Sequence, residues 1–166
     1  MKWKRPHISK VYEAFGAIAD GRVEVVGNTA KVYSSSRNKF YDVSYDPDKN
    51  ALRPGSGQAI MSNDNSAYWK GELGYPAIAL LMQLGVLPFD KNIAESLKGI
   101  AWKDINQKYK NDFDKTVAEV FVHIDTLSRP AAKSDEVKQF CEGVLEQIEQ
   151  IGFSLLGPKQ RPPEGY

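Results

Sequence analysis

Two hydrophobic periods follow one another in the first 45 residues of the chain. Over residues 8–19 apolar side chains recur every three or four positions, which predicts an amphipathic helix that ends at Asp20-Gly21. From residue 22 onward apolar and polar positions alternate, as in strands with one buried face. Three such runs are separated by short polar turns, at residues 22–26, 29–34 and 39–45. Links this short exclude parallel crossovers, so the pattern predicts an antiparallel meander.

The middle of the chain passes from a polar loop to its most apolar segment. Residues 46–57 are rich in turn-forming side chains and predict a loop, and residues 59–61 predict a short fourth strand. Residues 77–84 are apolar almost without interruption, and Pro76 stands where the first turn of a helix tolerates proline. A helix that is apolar on nearly all sides belongs inside a core, so this segment predicts a central buried helix.

The second half of the chain has helical spacing throughout. Asp90 precedes a short apolar stripe and predicts a helix N-cap. The longest stripe covers residues 102–124 and predicts one helix of about six turns, which Pro130 stops. Ser134 predicts the cap of a last helix, which ends at Gly157-Pro158.

A group of strands followed by a group of helices is typical of an α+β fold. The predicted architecture is an N-terminal helix, a three- or four-stranded antiparallel meander and a mainly helical C-terminal half. Residues 1–88 are expected to hold the first helix, the meander and the central apolar helix. Residues 89–157 then form a helical subdomain packed on them, and residues 158–166 form a loose tail.

Composition limits the classes of protein that the chain can belong to. With 42% hydrophobic and 26% charged residues, the 166-residue chain cannot be disordered over most of its length. Its 22 basic and 21 acidic residues give a net charge of +1, which does not favour nucleic acid or an anionic membrane. No apolar run is long enough for a membrane span, and no secretory signal pattern is present. The single cysteine, Cys141, lies in an apolar helical stripe and predicts a buried thiol in a cytoplasmic protein.

No group of residues has the spacing of a known catalytic or metal site. One cysteine and two histidines are too few for a Cys/His-rich zinc site, and neither a metal nor a cofactor is predicted. His123 and Asp125 are two positions apart on a helix and therefore point in different directions, which places His123 at the helix surface. No catalytic residue is predicted, so the sequence favours a non-enzymatic protein over an enzyme.

Basic residues are concentrated near the N-terminus and in the predicted hairpin. The first ten residues hold four cations and no acid, with Trp3 interleaved, a combination used for phosphate contact and base stacking. The alternative is a solvated, flexible N-terminus. The predicted nucleic-acid-binding residues are Lys2, Lys4, Arg5, Lys10, Lys31, Arg37 and Lys39.

A polar and aromatic cluster precedes the central helix and predicts a pocket if the protein is instead a small enzyme. Its residues are Asn63, Asp64, Asn65, Tyr68 and Trp69.

The segment from residue 31 to residue 82 resembles the SWIM domain. That family has a β-hairpin that reads roughly V-x-S-S-x-x-x-x-Y-x-V, then a C-x-C pair, then a C-x-H pair that opens an apolar helix. Here residues 32–43 (VYSSSRNKFYDV) are similar to the hairpin and residues 73–81 (LGYPAIALL) to the start of the helix. All four zinc ligands are missing, because their positions are taken by Ser62, Asp64, Gly74 and Pro76. SWIM domains are DNA-binding or protein-interaction modules, so the resemblance implies a binding module without zinc.

The leading hypothesis is a non-enzymatic binding module or accessory factor that contacts nucleic acid or a nucleic-acid-processing protein. Its nucleic-acid binding is expected to be weak and strongly salt-dependent, because the net charge is near zero. Two alternatives stay open: a small metal-free enzyme that uses the pocket above, and a protein that self-associates through its last two helices. A continuous positive face would favour the first, a deep polar pocket the second, and an exposed apolar patch the third.

Overall fold

The computed structural model of the protein describes residues 1–48 and 57–164. Within these ranges an N-terminal helix, a five-stranded sheet and a helical C-terminal half confirm the predicted α+β fold. The strands are Val23–Val26 (β1), Thr29–Tyr33 (β2), Phe40–Asp46 (β3), Ala59–Ser62 (β4) and Ser154–Leu155 (β5). The helices are Ser9–Ala19 (α1), Tyr75–Gln83 (α2), Lys91–Ser96 (α3), Trp102–Lys108 (α4), Phe113–Thr126 (α5) and Ser134–Ile151 (α6), and a π-helical turn covers Ser66–Lys70. Residues 49–56 of the predicted loop and residues 165–166 of the predicted tail lie outside the described residues.

The sheet has the strand order β1-β2-β3-β4-β5, with antiparallel pairing from β1 to β4. The predicted meander and its fourth strand are therefore confirmed. Tyr41, Val43 and Tyr45 of β3 share the buried face, as their alternation predicts. The two-residue turn between β1 and β2 places Gly27 at φ 57°, a left-handed backbone that glycine adopts without steric cost.

Helix α2 occupies the centre of the core. Seven of its nine residues are buried, and Pro76 lies in its first turn, as predicted. It packs against α1 and against the face formed by β1 to β4. Cys141 of α6 is fully buried in the same hydrophobic cluster, which confirms the prediction for this thiol, and His123 is exposed on α5 as expected.

Helix α1 is buried in a way that its apolar stripe does not predict. All residues from 9 to 17 are buried, and these include Lys10 and Glu13. Charged side chains are rarely fully buried unless they are paired, so their position marks a polar site inside the fold.

The predicted single helix over residues 102–124 is wrong, because the chain turns between α4 and α5. Lys110 and Asn111 adopt left-handed backbone conformations with φ of 51° and 62°. Asp112 then caps α5, its Oδ1 accepting a hydrogen bond from the Lys115 amide at 3.4 Å. The apolar residues keep their helical spacing across this turn, so the sequence pattern does not show that the helix is interrupted.

The end of the chain also differs from the prediction. Helix α6 ends at Ile151, where Gly152 takes the left-handed C-cap conformation, rather than at Gly157-Pro158. The freed segment forms β5, which pairs parallel to β4. Ser134 is the first helical residue and not the cap; its hydroxyl donates to Asp125 instead. The described part of the predicted loose tail contacts the π-helical turn, since Lys159 Nζ donates to the Tyr68 carbonyl at 3.2 Å.

Candidate functional site

A cavity of about 420 Å³ lies where α1, the β2–β3 turn, the π-helical turn and α4 meet. We call it the cationic cavity, because five basic side chains and two carboxylates line it. The basic residues are Lys10, Arg22, Lys39, Lys70 and Lys103, and the acidic residues are Glu13 and Asp64. A formal lining charge of +3 thus stands inside a chain whose total is only +1.

The floor of the cationic cavity is formed by the buried pair of helix α1. Lys10 Nζ lies 3.4 Å from Glu13 Oε1, and the same oxygen accepts a hydrogen bond from Asn106 Nδ2 at 3.0 Å. Both side chains of the pair are less than a tenth exposed. The second carboxylate oxygen, Glu13 Oε2, accepts no hydrogen bond from a described residue. It can therefore accept one from a ligand in the cavity.

Lys10 and Lys70 share one aromatic partner at the cavity wall. Their ammonium groups lie 4.2 Å and 4.9 Å from the centroid of the Phe113 ring. A ring face attracts cations through its quadrupole, so Phe113 helps to hold two like charges in one place.

Arg22 is the most deeply buried cation of the site. Its Nη1 donates to the Tyr33 carbonyl at 2.7 Å, and its Nε donates to Asp20 Oδ2 at 3.3 Å. The residue is 2% exposed. These bonds fix the guanidinium beneath the β2–β3 turn, because the planar donor group leaves little freedom once two of its edges are bound.

Lys39 and Lys103 also line the cationic cavity. The pKa of Lys39 is lowered by burial and, to a smaller extent, by the charge of Lys103. The backbone amide of Lys103 donates to Ser35 Oγ at 3.0 Å, which joins α4 to the β2–β3 turn.

Asp64 lines the cavity and is bound to the start of the π-helical turn. Its Oδ2 accepts a bond from Ser62 Oγ at 2.7 Å, and its Oδ1 accepts the amides of Ser66 at 2.9 Å and Ala67 at 3.1 Å. Desolvation raises the pKa of this buried carboxyl, against the lowering effect of these bonds and of the Lys10 charge. The two amide bonds tie the carboxylate to the π-helical turn that carries Trp69 and Lys70, and the Ser62 bond ties it to β4.

The carboxylate fills the space beside Gly74. A Cβ atom on Gly74 would lie 2.2 Å from Asp64 Oδ1 and 2.4 Å from Oδ2. The backbone of Gly74, at φ −76° and ψ 167°, is open to any residue, so only this contact requires glycine.

Trp69 stands at the rim of the cationic cavity and is 73% exposed. Its ring meets that of Tyr68 edge-on, with centroids 4.7 Å apart. Arg161 Nε donates to the Tyr68 hydroxyl at 3.3 Å, which fixes Tyr68 from the side of the C-terminal segment. The turn that carries Trp69 is π-helical, a rare conformation that often occurs at functional sites.

Three of the five predicted pocket residues line the cationic cavity and two do not. Asp64, Asn65 and Trp69 line the cationic cavity. Asn63 is bound instead to the sheet, its Oδ1 accepting the Asp42 amide at 2.8 Å, and Tyr68 supports Trp69 without lining the cavity.

The predicted nucleic-acid-binding residues lie in different environments. Lys10 and Lys39 line the cationic cavity, and Lys31 and Arg37 are exposed elsewhere on the hairpin. Lys31 Nζ lies 4.7 Å from the Phe40 ring centroid, and Arg37 donates to the Asp20 carbonyl at 2.6 Å.

The N-terminal segment is held to the sheet rather than extended as a flexible arm. Lys2 bridges to Ser154 and Lys4 to Glu72 through the backbone. Arg5 is not without an acidic partner, since its Nη1 lies 2.6 Å from Glu149 Oε2. All three side chains are exposed.

Sequence reasoning missed Glu13, Arg22, Lys70, Lys103 and Asn106. Arg22, Lys70 and the α4 residues Lys103 and Asn106 come from three regions that are far apart in the chain, and only the fold brings these regions together. For Glu13 a signal exists: it lies three positions after Lys10, so the two charges share one side of a helix whose neighbouring residues are apolar.

The SWIM resemblance assigns four positions to zinc ligands, and three of them, Ser62, Asp64 and Gly74, lie together around the Asp64 carboxylate. Ser62 donates to Asp64, and Gly74 lies against the Asp64 carboxylate. The relation to SWIM domains itself stays a prediction.

The described residues lack two kinds of feature, a group of three metal-ligating side chains and a membrane-spanning helix. Within residues 1–48 and 57–164, no three His, Cys, Asp or Glu side chains are grouped as a metal ion would need. No helix in the same ranges combines the length and apolarity required to cross a membrane.

Comparison with known proteins places the chain in a family. A comparison with curated proteins gave no match, and a comparison with solved structures gave none either. A family model described as "Uncharacterised conserved protein UCP014422" matches residues 3–154, a range that contains every residue of the cationic cavity. The chain therefore belongs to the family "Uncharacterised conserved protein UCP014422".

Proposed function

We propose that the protein binds a small organic anion in the cationic cavity. The observation that carries this proposal is the concentration of five basic side chains on one cavity of a chain that is nearly neutral overall. Positive charge that is unevenly distributed in this way raises the local concentration of anions, because low-dielectric walls focus the field.

The size and depth of the cavity favour a small molecule over a polymer. A volume of about 420 Å³ is within the range of small-ligand sites, about 300–1,000 Å³. Lys10, Arg22 and Glu13 are buried at its base, where an extended phosphate backbone cannot follow them. This deep polar pocket favours the enzyme-type alternative of the sequence analysis, although none of its residues is assigned a catalytic step.

The test is isothermal titration calorimetry with citrate and with inorganic phosphate. Both anions are used at millimolar concentrations. At much higher concentrations phosphate and similar salts stabilise proteins without binding to a site, because they are excluded from the protein surface. Saturable binding is expected for the wild type, and Lys70→Gln should weaken it by about tenfold or more, since one charge-assisted contact is lost.

The matched control is Lys98→Gln, which removes an exposed lysine outside the cavity lining. It should bind both anions as the wild type does. Absence of saturable binding for both anions would refute the proposal, and equal loss in both variants would show a general charge effect instead of a site.

The accessory-factor hypothesis is the second candidate function. Lys2, Lys4 and Arg5 are exposed on the segment that lies along β5, and a phosphate backbone can reach them there. Arg5 would have to exchange its ion pair with Glu149 for a phosphate, which reduces the gain from that contact.

A further inference from the structure

We infer that the anion of the cationic cavity is a sugar acid, a ring that bears several hydroxyl groups and one carboxylate, such as a hexuronate. This inference rests on the proposed anion-binding function and narrows it to one class of ligand. It depends on three features of the site: hydrogen-bonding groups that the protein leaves unused, one lysine without an acidic partner among the described residues, and one exposed ring at the rim.

The floor of the cationic cavity offers acceptors that lack donors. Glu13 Oε1 is bound to Lys10 and Asn106, while Glu13 Oε2 accepts nothing from the described residues. Asn106 Oδ1 is a buried acceptor that has no hydrogen-bond partner either. Buried polar atoms are nearly always paired, so two open acceptors on neighbouring side chains call for a ligand that brings donors. A fully ionised phosphate or carboxylate has no donor, whereas a hydroxyl group has one.

Three exposed carboxamides line the cavity and are free to bind a ligand. The side-chain amides of Asn65, Gln107 and Asn111 form no hydrogen bond with a described residue. A carboxamide both donates and accepts hydrogen bonds, and so does a hydroxyl group. Hydroxyl groups can therefore replace water at these amides without loss of hydrogen bonds. A ligand with several hydroxyl groups uses this lining, which a ligand with charge alone does not.

Lys70 is available to bind one carboxylate. Its ammonium group has no acidic partner among the described residues. Lys10 is paired with Glu13, and Arg22 is paired with Asp20, so the charges of these two cations are already compensated. A single carboxylate therefore matches the cation that Lys70 presents to the cavity.

Trp69 provides a platform for the ring of the sugar. The indole is 73% exposed at the rim, and the contact with the ring of Tyr68 holds it without covering it. The face of an aromatic ring is its negative side. The C–H groups on the face of a sugar ring carry partial positive charge, so the two faces pack together. Trp69 and Lys70 are consecutive residues of the π-helical turn and line the same cavity, so one small molecule can contact both.

The experiment compares three probes by isothermal titration calorimetry. Glucuronate has the ring, the hydroxyl groups and the carboxylate, while glucose lacks the carboxylate and cyclohexanecarboxylate lacks the hydroxyl groups. Glucuronate is expected to bind at least about tenfold more tightly than either of the other two. Gln107→Ala should weaken glucuronate binding by about threefold or more and leave cyclohexanecarboxylate binding unchanged, because only glucuronate has hydroxyl groups for the amide. Lys70→Gln should instead weaken both acids and leave glucose binding unchanged. Trp69→Ala should weaken glucuronate binding by about fivefold, and Trp69→Phe should retain most of the affinity, which separates loss of the ring from loss of the fold.

Gln147→Ala is the matched control, since Gln147 is an exposed glutamine of α6 that does not line the cavity. It should bind all three probes as the wild type does. If citrate or phosphate binds but glucuronate binds no more tightly than glucose or cyclohexanecarboxylate, this inference is overturned while anion binding stands. The inference is also overturned if Gln107→Ala weakens both acids equally. If citrate, phosphate and all three probes fail to bind, the proposed function is refuted together with this inference.

Discussion

Replacing Gly74 with alanine tests the packing of the buried Asp64 carboxylate. The added methyl would lie 2.2 Å from Oδ1, so the carboxylate must move away from its three hydrogen bonds to Ser62, Ser66 and Ala67. Hydrogen bonds to a charged group contribute about 1.5–3 kcal/mol each, and some are replaced by water when the group moves. We expect Gly74→Ala to lower the free energy of unfolding by about 3–5 kcal/mol.

The cause of that loss can be isolated with a double-mutant cycle measured by urea unfolding. In an Asp64→Ala background the methyl meets no carboxylate, and Gly74→Ala should cost only about 1 kcal/mol, the preference for glycine over alanine at an N-cap. The expected coupling free energy is therefore about 2–4 kcal/mol.

Gly143→Ala in α6 is the control substitution. Nothing lies within 4 Å of the Cβ position there, so alanine should stabilise the helix by about 0.5–1 kcal/mol. An equal cost of Gly74→Ala with and without Asp64 would refute the steric explanation.

Three further predictions follow from burial, titration and surface charge. Leu80→Ala should reduce the free energy of unfolding by about 2–5 kcal/mol, because Leu80 is 0% exposed in the core. Val117→Ala should cost clearly less, because Val117 is only half-buried on α5. Equal urea midpoints for the two variants would contradict this order. Burial raises the pKa of Asp64 above its ordinary 3.8, so the folded state holds the proton more tightly than the unfolded state does. The unfolding free energy of the wild type relative to Asp64→Asn should therefore fall as the pH rises from about 4 to 7. A difference that stays constant or rises over this range would disprove the prediction. If the protein contacts nucleic acid, fluorescence anisotropy should show affinity that falls strongly between about 50 and 200 mM salt and is weakened by Lys2→Ala/Lys4→Ala/Arg5→Ala; no binding at the lower salt would exclude this candidate.

The sequence predicts local structure wherever one face of an element is buried. Val43 and Tyr45 alternate with polar residues, and the uninterrupted apolar residues of α2 mark the centre of the core. The turn at Lys110 and Asn111 is not predictable in the same way, because the apolar spacing on its two sides stays in register. Strand β5 has only two residues and no alternation, so it becomes visible only through its pairing with β4.

The site is predictable in part for a related reason. Asp64, Asn65 and Trp69 are neighbours in sequence, and a local search finds them as a polar cluster. Arg22 and Lys103 are about 80 positions apart and meet only because Ser35 and the β2–β3 turn join α4 to the sheet. Charge that is assembled over such separations is invisible to composition, since the net charge of the chain averages it away.

The parallel pairing of β4 with β5 has a consequence for biosynthesis. Residues 59–62 are all buried, yet the strand that covers one of their edges leaves the ribosome some ninety residues later. Until then the β4 edge has open backbone groups, which can pair with another nascent chain. The Trp3 amide also donates to the Phe153 carbonyl, so the N-terminal residues cannot form this hydrogen bond until the same late segment has been synthesised. The protein is therefore expected to need a chaperone or fast completion of synthesis more than its size suggests, because its sheet closes last.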